Sequence, residues 1–305
     1  MDFRTLEYIL AVSKARSFTK AALAMNVAQP SLSQQIGKLE RELGVTIFVR
    51  RQSGVLLTPE GERFVTQADS LLRQRDDLLR EMAERSGGMG SELILGAPAI
   101  TGGHVLPPLL RRFTDLYPQV RIHLLEETTE RLEELTVNGA TDLTILALPL
   151  HDSRLSTKPL LTERIVIALP TTMPAWGRSY LPDAPPEIDL KEVADAPFIL
   201  LKRGYGFRET CLTLCAERGF TPKIAFETSS VETAQALVAA GLGVTLIPEM
   251  VMRTDDQALH FAQLSTKPTR TLVFAYVKDR FLSMAARLFM ALYEEIQEAS
   301  RVRHS

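Results

Sequence analysis

At residues 86–91, SGGMGS, the hydrophobic pattern of this chain changes period, and the two sides of the change belong to different kinds of domain. Before it, apolar residues recur at helical spacing. Phe3, Leu6, Ile9, Leu10 and Val12 open a first helix, and KAALAM continues into a second with Ser17 or Thr19 as its cap. A third runs from about Gln29 to Leu43 with Leu32, Ile36, Leu39 and Leu43 on one stripe, and Gly44 ends it. TIFVRRQSGVLLTPEG then reads as two short strands joined by a basic turn around Arg50, Arg51, Ser53 and Gly54. After the change, ELILGA, RIHLLEE, DLTILAL, RIVIALP, PFILL, KIAFETS, VTLIP and RTLVFAYV are strand candidates with helices between several of them. That alternation predicts an α/β fold, and the late return to RTLVFAYV predicts two lobes with crossing strands.

Between these parts lies a long helix. Thr58 caps it, Pro59 takes its first position, and Glu60 and Glu62 suit its first turn. The pattern continues to about Glu84, a length on the order of 40 Å. Phe64, Ala68, Leu71, Leu72, Leu78, Leu79 and Met82 line one face and predict a partner helix, most simply a second copy in a two-fold dimer. Packing against the strand-rich part of its own chain is the alternative. SGGMGS reads as a flexible joint.

The charge is divided along the chain. The net charge is −2, yet residues 1–60 carry +3 and the remainder −5, a basic module on an acidic body. No apolar run is long enough to span a membrane, the first residues do not form a signal peptide, and Cys211 and Cys215 are too few for a disulfide scaffold. A cytoplasmic protein is expected. The five histidines show no metal-ligand spacing, and no nucleophile with a plausible base is visible, so neither a metal nor an enzymatic activity is expected.

The third helix carries the functional signal. Opposite its apolar stripe lie Pro30, Gln34, Gly37 and Arg41, flanked by Ser31, Ser33 and Lys38, while Glu40 and Glu42 fall late. A helix in the DNA major groove needs this arrangement: Gln and Ser offer donors and acceptors together at the N-terminal turn, and Gln suits a bidentate contact with adenine. A solvated face of a small helical domain would not account for the short preceding helix, the tight turn and the basic hairpin. A helix-turn-helix with a wing accounts for all three.

The stretch FTKAALAMNVAQPSLSQQIGKLERELGVTIFVR followed by LTPEG, together with LPPLLRRFTDLYP and ETSSVETAQALVAAGLGVTLIP, resembles the LysR-type transcriptional regulators over essentially the whole chain. The resemblance implies a winged helix-turn-helix over 1–58, a linker and dimerisation helix over 59–90, and an effector domain over 91–300 similar to periplasmic binding proteins. Its first lobe would hold about 91–162 and 268–300, and its second about 163–267. It implies double-stranded DNA with a pseudo-palindromic operator, a second copy (as dimer or dimer of dimers), a small effector and RNA polymerase as partners, and no membrane or cofactor. DNA contacts carried over are Gln29, Pro30, Ser31, Ser33, Gln34 and Lys38 on the helix and Arg50, Arg51 and Ser53 on the wing, with a structural role for Arg50 equally open. Ala28 departs from the family, where a serine often caps the recognition helix.

An effector would sit between the lobes, at strand ends and helix N-termini. Four segments qualify. In APAITGGH, Thr101 and Gly102 are candidates, although Pro98 and Ile100 replace hydroxyl residues frequent in relatives. In EETTERL they are Thr128 and Thr129, the latter also a potential helix cap. In LKRGYGFRE, Lys202, Arg203 and Arg208 either meet an anion or form solvated surface charge. Ser229 and Ser230 open the helix after TSSVE. A small anionic metabolite is the expected effector. The resemblance places the reactive cysteine of peroxide-sensing relatives at Gly206 and matches only their partner cysteine, at Cys215, so Cys211 and Cys215 are expected to be buried structural thiols. A solute-binding protein is the rival reading of the C-terminal lobes, and it leaves the N-terminal module unexplained.

Overall fold

The computed structural model describes residues 1–51, 54–85, 92–173 and 186–303, with backbone only at Arg50, Arg85 and 299–303. The expected joint at 86–91 and Ser53 therefore lie outside the described residues. The chain forms two compact units, the first built by the N-terminal helices and hairpin and the second by the strand-rich remainder.

The first unit contains α1 (Phe3–Ala15), α2 (Phe18–Ala24), α3 (Gln29–Leu43), the hairpin β1 (Phe48–Arg51) and β2 (Gly54–Leu57), and α4 (Pro59–Arg85). Asp2 caps α1 by accepting from Thr5 N at 2.7 Å, and Ser17, rather than Thr19, caps α2 by accepting from Lys20 N at 3.3 Å. Helix α3 starts at Ala28 with no side-chain cap and stops at Gly44, whose φ of 70° is open to glycine at little cost. Ile9 and Val12 of α1, Ala21 and Ala22 of α2, Leu32, Ile36 and Leu39 of α3, and Ile47 make the core. Leu43, expected on that stripe, is exposed in the last turn.

Helix α4 has 27 residues and departs from its expected role over half its length. Ala68 and Leu72 are buried with Leu6 of α1, and Phe64 and Leu10 flank them. This part of the apolar stripe is consumed inside its own module. The remainder, Leu71, Leu78, Leu79 and Met82, is exposed. A helix of this length drifts around its axis, so one stripe serves two surfaces in succession.

The second unit contains β3 (Glu92–Ala97), α5 (Ala99–Leu116), β4 (Arg121–Glu126), α6 (Thr129–Val137), β5 (Leu143–Ala147) and β6 (Leu155–Pro170). It continues through β7 (Glu187–Ile188), β8 (Pro197–Leu201), α7 (Gly206–Glu217), β9 (Lys223–Thr228), α8 (Val231–Ala239) and β10 (Thr245–Pro248). Strands β11 (Leu259–Leu264) and β12 (Thr269–Val277) and the C-terminal helix α9 (Met284–Arg303) complete it. The main sheet runs β4-β3-β5-β12-β6-β11-β7, with β10 also on β6 and a separate parallel pair β8-β9.

Strand β6 organises the lobes. Its first part, from Leu155 to Arg164, pairs with β12, and from Ile165 its partners are β10 and β11. The pairing changes between Arg164 and Ile165. One core gathers Leu95, Phe113, Ile145, Phe274 and Phe289, and the other Val166, Ile167, Phe198, Cys215 and Leu246. Two features escaped the sequence pattern. Strand β6 begins nine residues before RIVIALP because Pro159, which removes a ladder donor, is accommodated by a register slip opposite Leu272 and Val273. LHFAQL forms β11 although its polar His260 and Gln263 interrupt the apolar run.

Gly61 fixes the hairpin against α4. Thr58 N donates to Ile47 O at 3.0 Å, Thr58 Oγ1 accepts from Gly61 N at 2.9 Å, and a Cβ on Gly61 would lie 2.1 Å from Ile47 O. Gly61→Ala is therefore expected to destabilise the N-terminal unit by at least ~1–3 kcal/mol, the cost of overpacking against immobile backbone. A lowered melting temperature together with weakened DNA binding in the variant would show it, and an unchanged melt would contradict the contact.

Candidate nucleic-acid interface and effector site

Burial divides α3 as a groove-binding helix requires. Leu32, Ile36 and Leu39 are 0–2% exposed, whereas Pro30, Ser31, Gln34, Lys38 and Arg41 face solvent. Gln29 and Ser33 are half-buried at the edges of the face. Gly37 keeps the outer surface low, and the Arg41 guanidinium extends back along it, its Nη1 3.7 Å from where a Cβ on Gly37 would stand. The first turn contains no carboxylate, so the positive end of the helix dipole is left for an anion such as a phosphate.

Glu40 holds this helix to the wing, a role its position late in α3 did not reveal. Its Oε1 accepts from Ile47 N at 2.7 Å and Phe48 N at 3.2 Å, the backbone entering β1. In β1 and β2, Arg50 pairs with Val55 and Arg51 with Gly54, and the Arg51 side chain is exposed. Sequence reasoning places both arginines on the hairpin, as observed.

In the second unit, Thr129 spans the seam between the lobes. Its Oγ1 accepts from Gly206 N at 3.0 Å, and Glu130 N donates to Gly204 O at 3.2 Å. Helix α7 has no side-chain cap of its own at Tyr205, so a threonine from the opposite lobe supplies it. A Cβ on Gly204 would lie 3.5 Å from Thr128 Oγ1, which places Thr128 at the same seam. Thr101 and Gly102 are buried in the first turn of α5. Arg203 and Ser229 are exposed, and Ser230 caps α8 by accepting from Thr233 N at 3.1 Å.

Arg208 does not stand free for a ligand. It is buried, its Nη1 donates to Leu201 O at 2.6 Å, and the same nitrogen is 2.5 Å from Glu227. The cationic cluster expected on this loop is reduced to exposed Lys202 and Arg203. The buried cation that sequence reasoning passed over is Arg270, at the start of β12. It pairs with Glu163 of β6 at 2.6 Å and lies over the Phe207 ring of α7 at 5.3 Å. Burial lowers its pKa, and Glu163 opposes that shift. A charged residue beginning the apolar run TLVFAYV was the one available signal.

Cys211 and Cys215 are both buried in α7, and burial is the main cause of their raised pKa values, with Cys215 pushed up to about 11. Among the described residues, no group of three or more His, Cys, Asp and Glu could hold a metal ion, and no helix is long and apolar enough to cross a membrane.

A winged helix-turn-helix with an outward polar helix, followed by a two-lobed α/β domain, defines a DNA-binding regulator with a ligand-responsive body. The family comparisons agree: the bacterial regulatory helix-turn-helix of the LysR family matches residues 3–62, and the LysR substrate binding domain matches 86–297. The chain belongs to the LysR family, whose members are transcriptional regulators rather than enzymes. It is 47% identical to the uncharacterized HTH-type transcriptional regulator YcgK of Bacillus subtilis (strain 168), across 97% of this chain and 94% of that protein. It is 31% identical to the DNA-binding transcriptional dual regulator OxyR of Escherichia coli (strain K12), across 99% and 96%. A full-length OxyR variant from Pseudomonas aeruginosa superposes with a TM-score of 0.72 at 30% identity, covering 97% of this chain and 95% of that one.

Burial sets the state of both thiols of α7. Burial raises the pKa of both thiols, so each is protonated through neutral pH. Native Cys215 is expected to alkylate with iodoacetamide at least roughly 100-fold more slowly than in the unfolded chain. Hydrogen peroxide should leave operator binding unchanged. Rapid modification of either cysteine in the native protein, followed by peptide mass spectrometry, would contradict this assignment.

Proposed function

We propose that this regulator reads a pseudo-palindromic operator as a homodimer or dimer of dimers and changes DNA bending when a small effector binds between its lobes. The observation that carries the DNA half is the division of α3: an apolar stripe in the core and Gln34, Lys38 and Arg41 on the outer surface. Gln29, Pro30, Ser31, Ser33, Gln34 and Lys38 form the groove-facing set, with Pro30 shaping the helix entry because it lacks an N–H. Arg50, Arg51 and Ser53 serve the adjacent phosphates. The exposed Leu71, Leu78, Leu79 and Met82 on α4 support self-association, since a contiguous apolar strip of this kind is usually covered. RNA polymerase is a further partner in the cytoplasm, where such a regulator acts.

The effector half rests on the seam. Thr128 and Thr129 meet Gly204 and Gly206 there, with Arg203 and Ser229 exposed and Thr101 and Gly102 in the buried first turn of α5. Ser230 contributes as the cap of α8, and Arg208 as the support of the loop before α7. The anionic effector read from the sequence keeps Lys202 and Arg203 in its favour and loses Arg208. Lobe closure on a small polar molecule would shift the equilibrium between two arrangements of the paired DNA-binding modules.

Gln34→Ala is expected to weaken operator binding by ~1–3 kcal/mol per half-site while sparing random DNA, because a bidentate base contact carries discrimination and phosphate contacts do not. Titration of both DNAs at fixed salt measures it, and an equal loss on the two would remove Gln34 from base readout.

The regulatory half has its own test. If the effector alters the operator complex through a coupling of ~1–3 kcal/mol, reciprocity requires operator DNA to change effector affinity by the same factor. A thermal-shift screen of small carboxylates, amino acids and aromatics would supply the ligand. Calorimetry with and without saturating operator should then give two different affinities, and identical values would leave the cleft uncoupled from DNA.

A further inference from the structure

Arg16 ends α1 with its backbone in the left-handed region, at φ 49° and ψ 29°. A side chain is disfavoured there, and glycine takes the same conformation at lower cost. The wing is fastened at this same residue. Val55 N of β2 donates to Arg16 O at 3.1 Å, and a Cβ on Gly54 would lie 3.1 Å from that oxygen. Gly54 in turn pairs with Arg51 in the hairpin ladder. Arg16 and Arg51 therefore adjoin Gly54 from two sides, one from the end of α1 and the other from β1. Both are exposed, and neither has a carboxylate partner among the described residues. Lys20, which follows in the first turn of α2, is exposed as well.

The sequence around this corner holds nothing to neutralise it. No Asp or Glu occurs between Glu7 and Glu40, nor between Glu42 and Glu60. Three of the carboxylates that flank these gaps are engaged elsewhere: Glu7 with Arg75, Glu40 with the N–H groups of Ile47 and Phe48, and Glu42 with the N-terminal amine. Adjoining cations without a counter-ion repel each other in the free protein, and an anion seated against both removes that repulsion. A merely solvated arginine gives no reason to keep a side chain on left-handed backbone, whereas a phosphate beside the wing does. We propose that Arg16 contacts the DNA backbone from the end of α1, and that with Arg51 it clamps phosphate at the root of the wing. The contact reads no bases. It fixes the register of the wing on the duplex while α3 reads the groove. The proposal rests on the DNA-binding reading above and adds a residue that lies outside both the recognition helix and the hairpin.

The test titrates the full-length protein on operator DNA and on a random-sequence duplex of the same length, over a series of salt concentrations. The variants are Arg16→Gly, Arg16→Asn and Arg16→Lys. Glycine and asparagine both tolerate left-handed backbone, so their melting midpoints should stay close to that of the wild type. Loss of one phosphate contact should reduce the slope of log K against log salt by ~0.9 per bound protomer, which at about 0.1 M salt is roughly an eight-fold loss of affinity per protomer. Arg16→Gly and Arg16→Asn should show that loss on both DNAs alike, and Arg16→Lys, which keeps the charge, should keep the slope. The proposal is overturned if the slope is unchanged in Arg16→Gly and Arg16→Asn, which would make Arg16 a solvated surface charge. It is overturned equally if the operator loses much more than random DNA, if Arg16→Lys loses as much slope as Arg16→Gly, or if a lowered melting midpoint accompanies an unchanged slope. The wild type reports separately on the DNA-binding reading. A wild type that prefers the operator while Arg16→Gly matches it in slope leaves that reading standing and removes this one. A wild type without operator preference removes base readout, and the slope comparison on random DNA still decides the role of Arg16.

Discussion

The second unit depends on one strand serving two lobes. Within the 16 residues of β6, the hydrogen-bonding partner changes from β12 to β10 and β11 between Arg164 and Ile165. A ladder cannot slide without breaking bonds, so any change in the angle between the lobes must be taken up by backbone torsions near this change and near Pro268 and Thr269. Two ion pairs of the unit stand at the same place. Glu163 meets Arg270, and Arg164 forms a two-pronged contact with Glu249 at 2.8 and 2.6 Å. The Glu163–Arg270 pair is buried; such a pair adds little net stability, because desolvation offsets most of its attraction, but it is strict about geometry. Here the two pairs define which arrangements of the crossing strands are allowed.

In the N-terminal unit the equivalent constraint is Glu40, which binds two backbone donors of the wing from the C-terminal half of the recognition helix. The helix and hairpin are thereby set in one orientation, and Gly61 adds a steric limit from α4. This explains a carboxylate in a module otherwise suited to an anionic partner. Its charge is spent inward on N–H groups, leaving the outer surface to Gln34, Lys38 and Arg41.

How far the sequence could be read follows from the distance over which each feature is determined. Helix limits, the Gly44 stop and the missing cap at Ala28 are local, and they were legible, while the cap of α2 was narrowed only to Ser17 or Thr19. The late return of the chain to RTLVFAYV was legible, and β12 does lie between β5 and β6. The role of α4 was only half legible: a stripe shows that a face is covered, while its division between α1 and open surface depends on the fold. The buried charges of the second unit were the least legible. Glu163 and Arg270 are 107 residues apart, and Arg208 looks like any loop cation until Glu227 is brought to it by β9. Hydrophobic period carries no information about which charges will meet.

The seam itself sets the scale of any effector response. Thr129 Oγ1 with Gly206 N, and Glu130 N with Gly204 O, are two hydrogen bonds between lobes. Each contributes a net ~0.5–1.5 kcal/mol, so together they amount to roughly 1–3 kcal/mol. That is the range of a typical allosteric coupling energy. A bulkier residue at position 206 would crowd this contact, since an added Cβ would lie 3.1 Å from Thr129 Cγ2 and 3.3 Å from its Oγ1. Glycine permits the closure, and with it the use of a threonine from one lobe as the cap of a helix in the other. An effector that alters these two bonds has enough leverage to shift the balance between lobe arrangements, and it needs no covalent chemistry at α7 to do so.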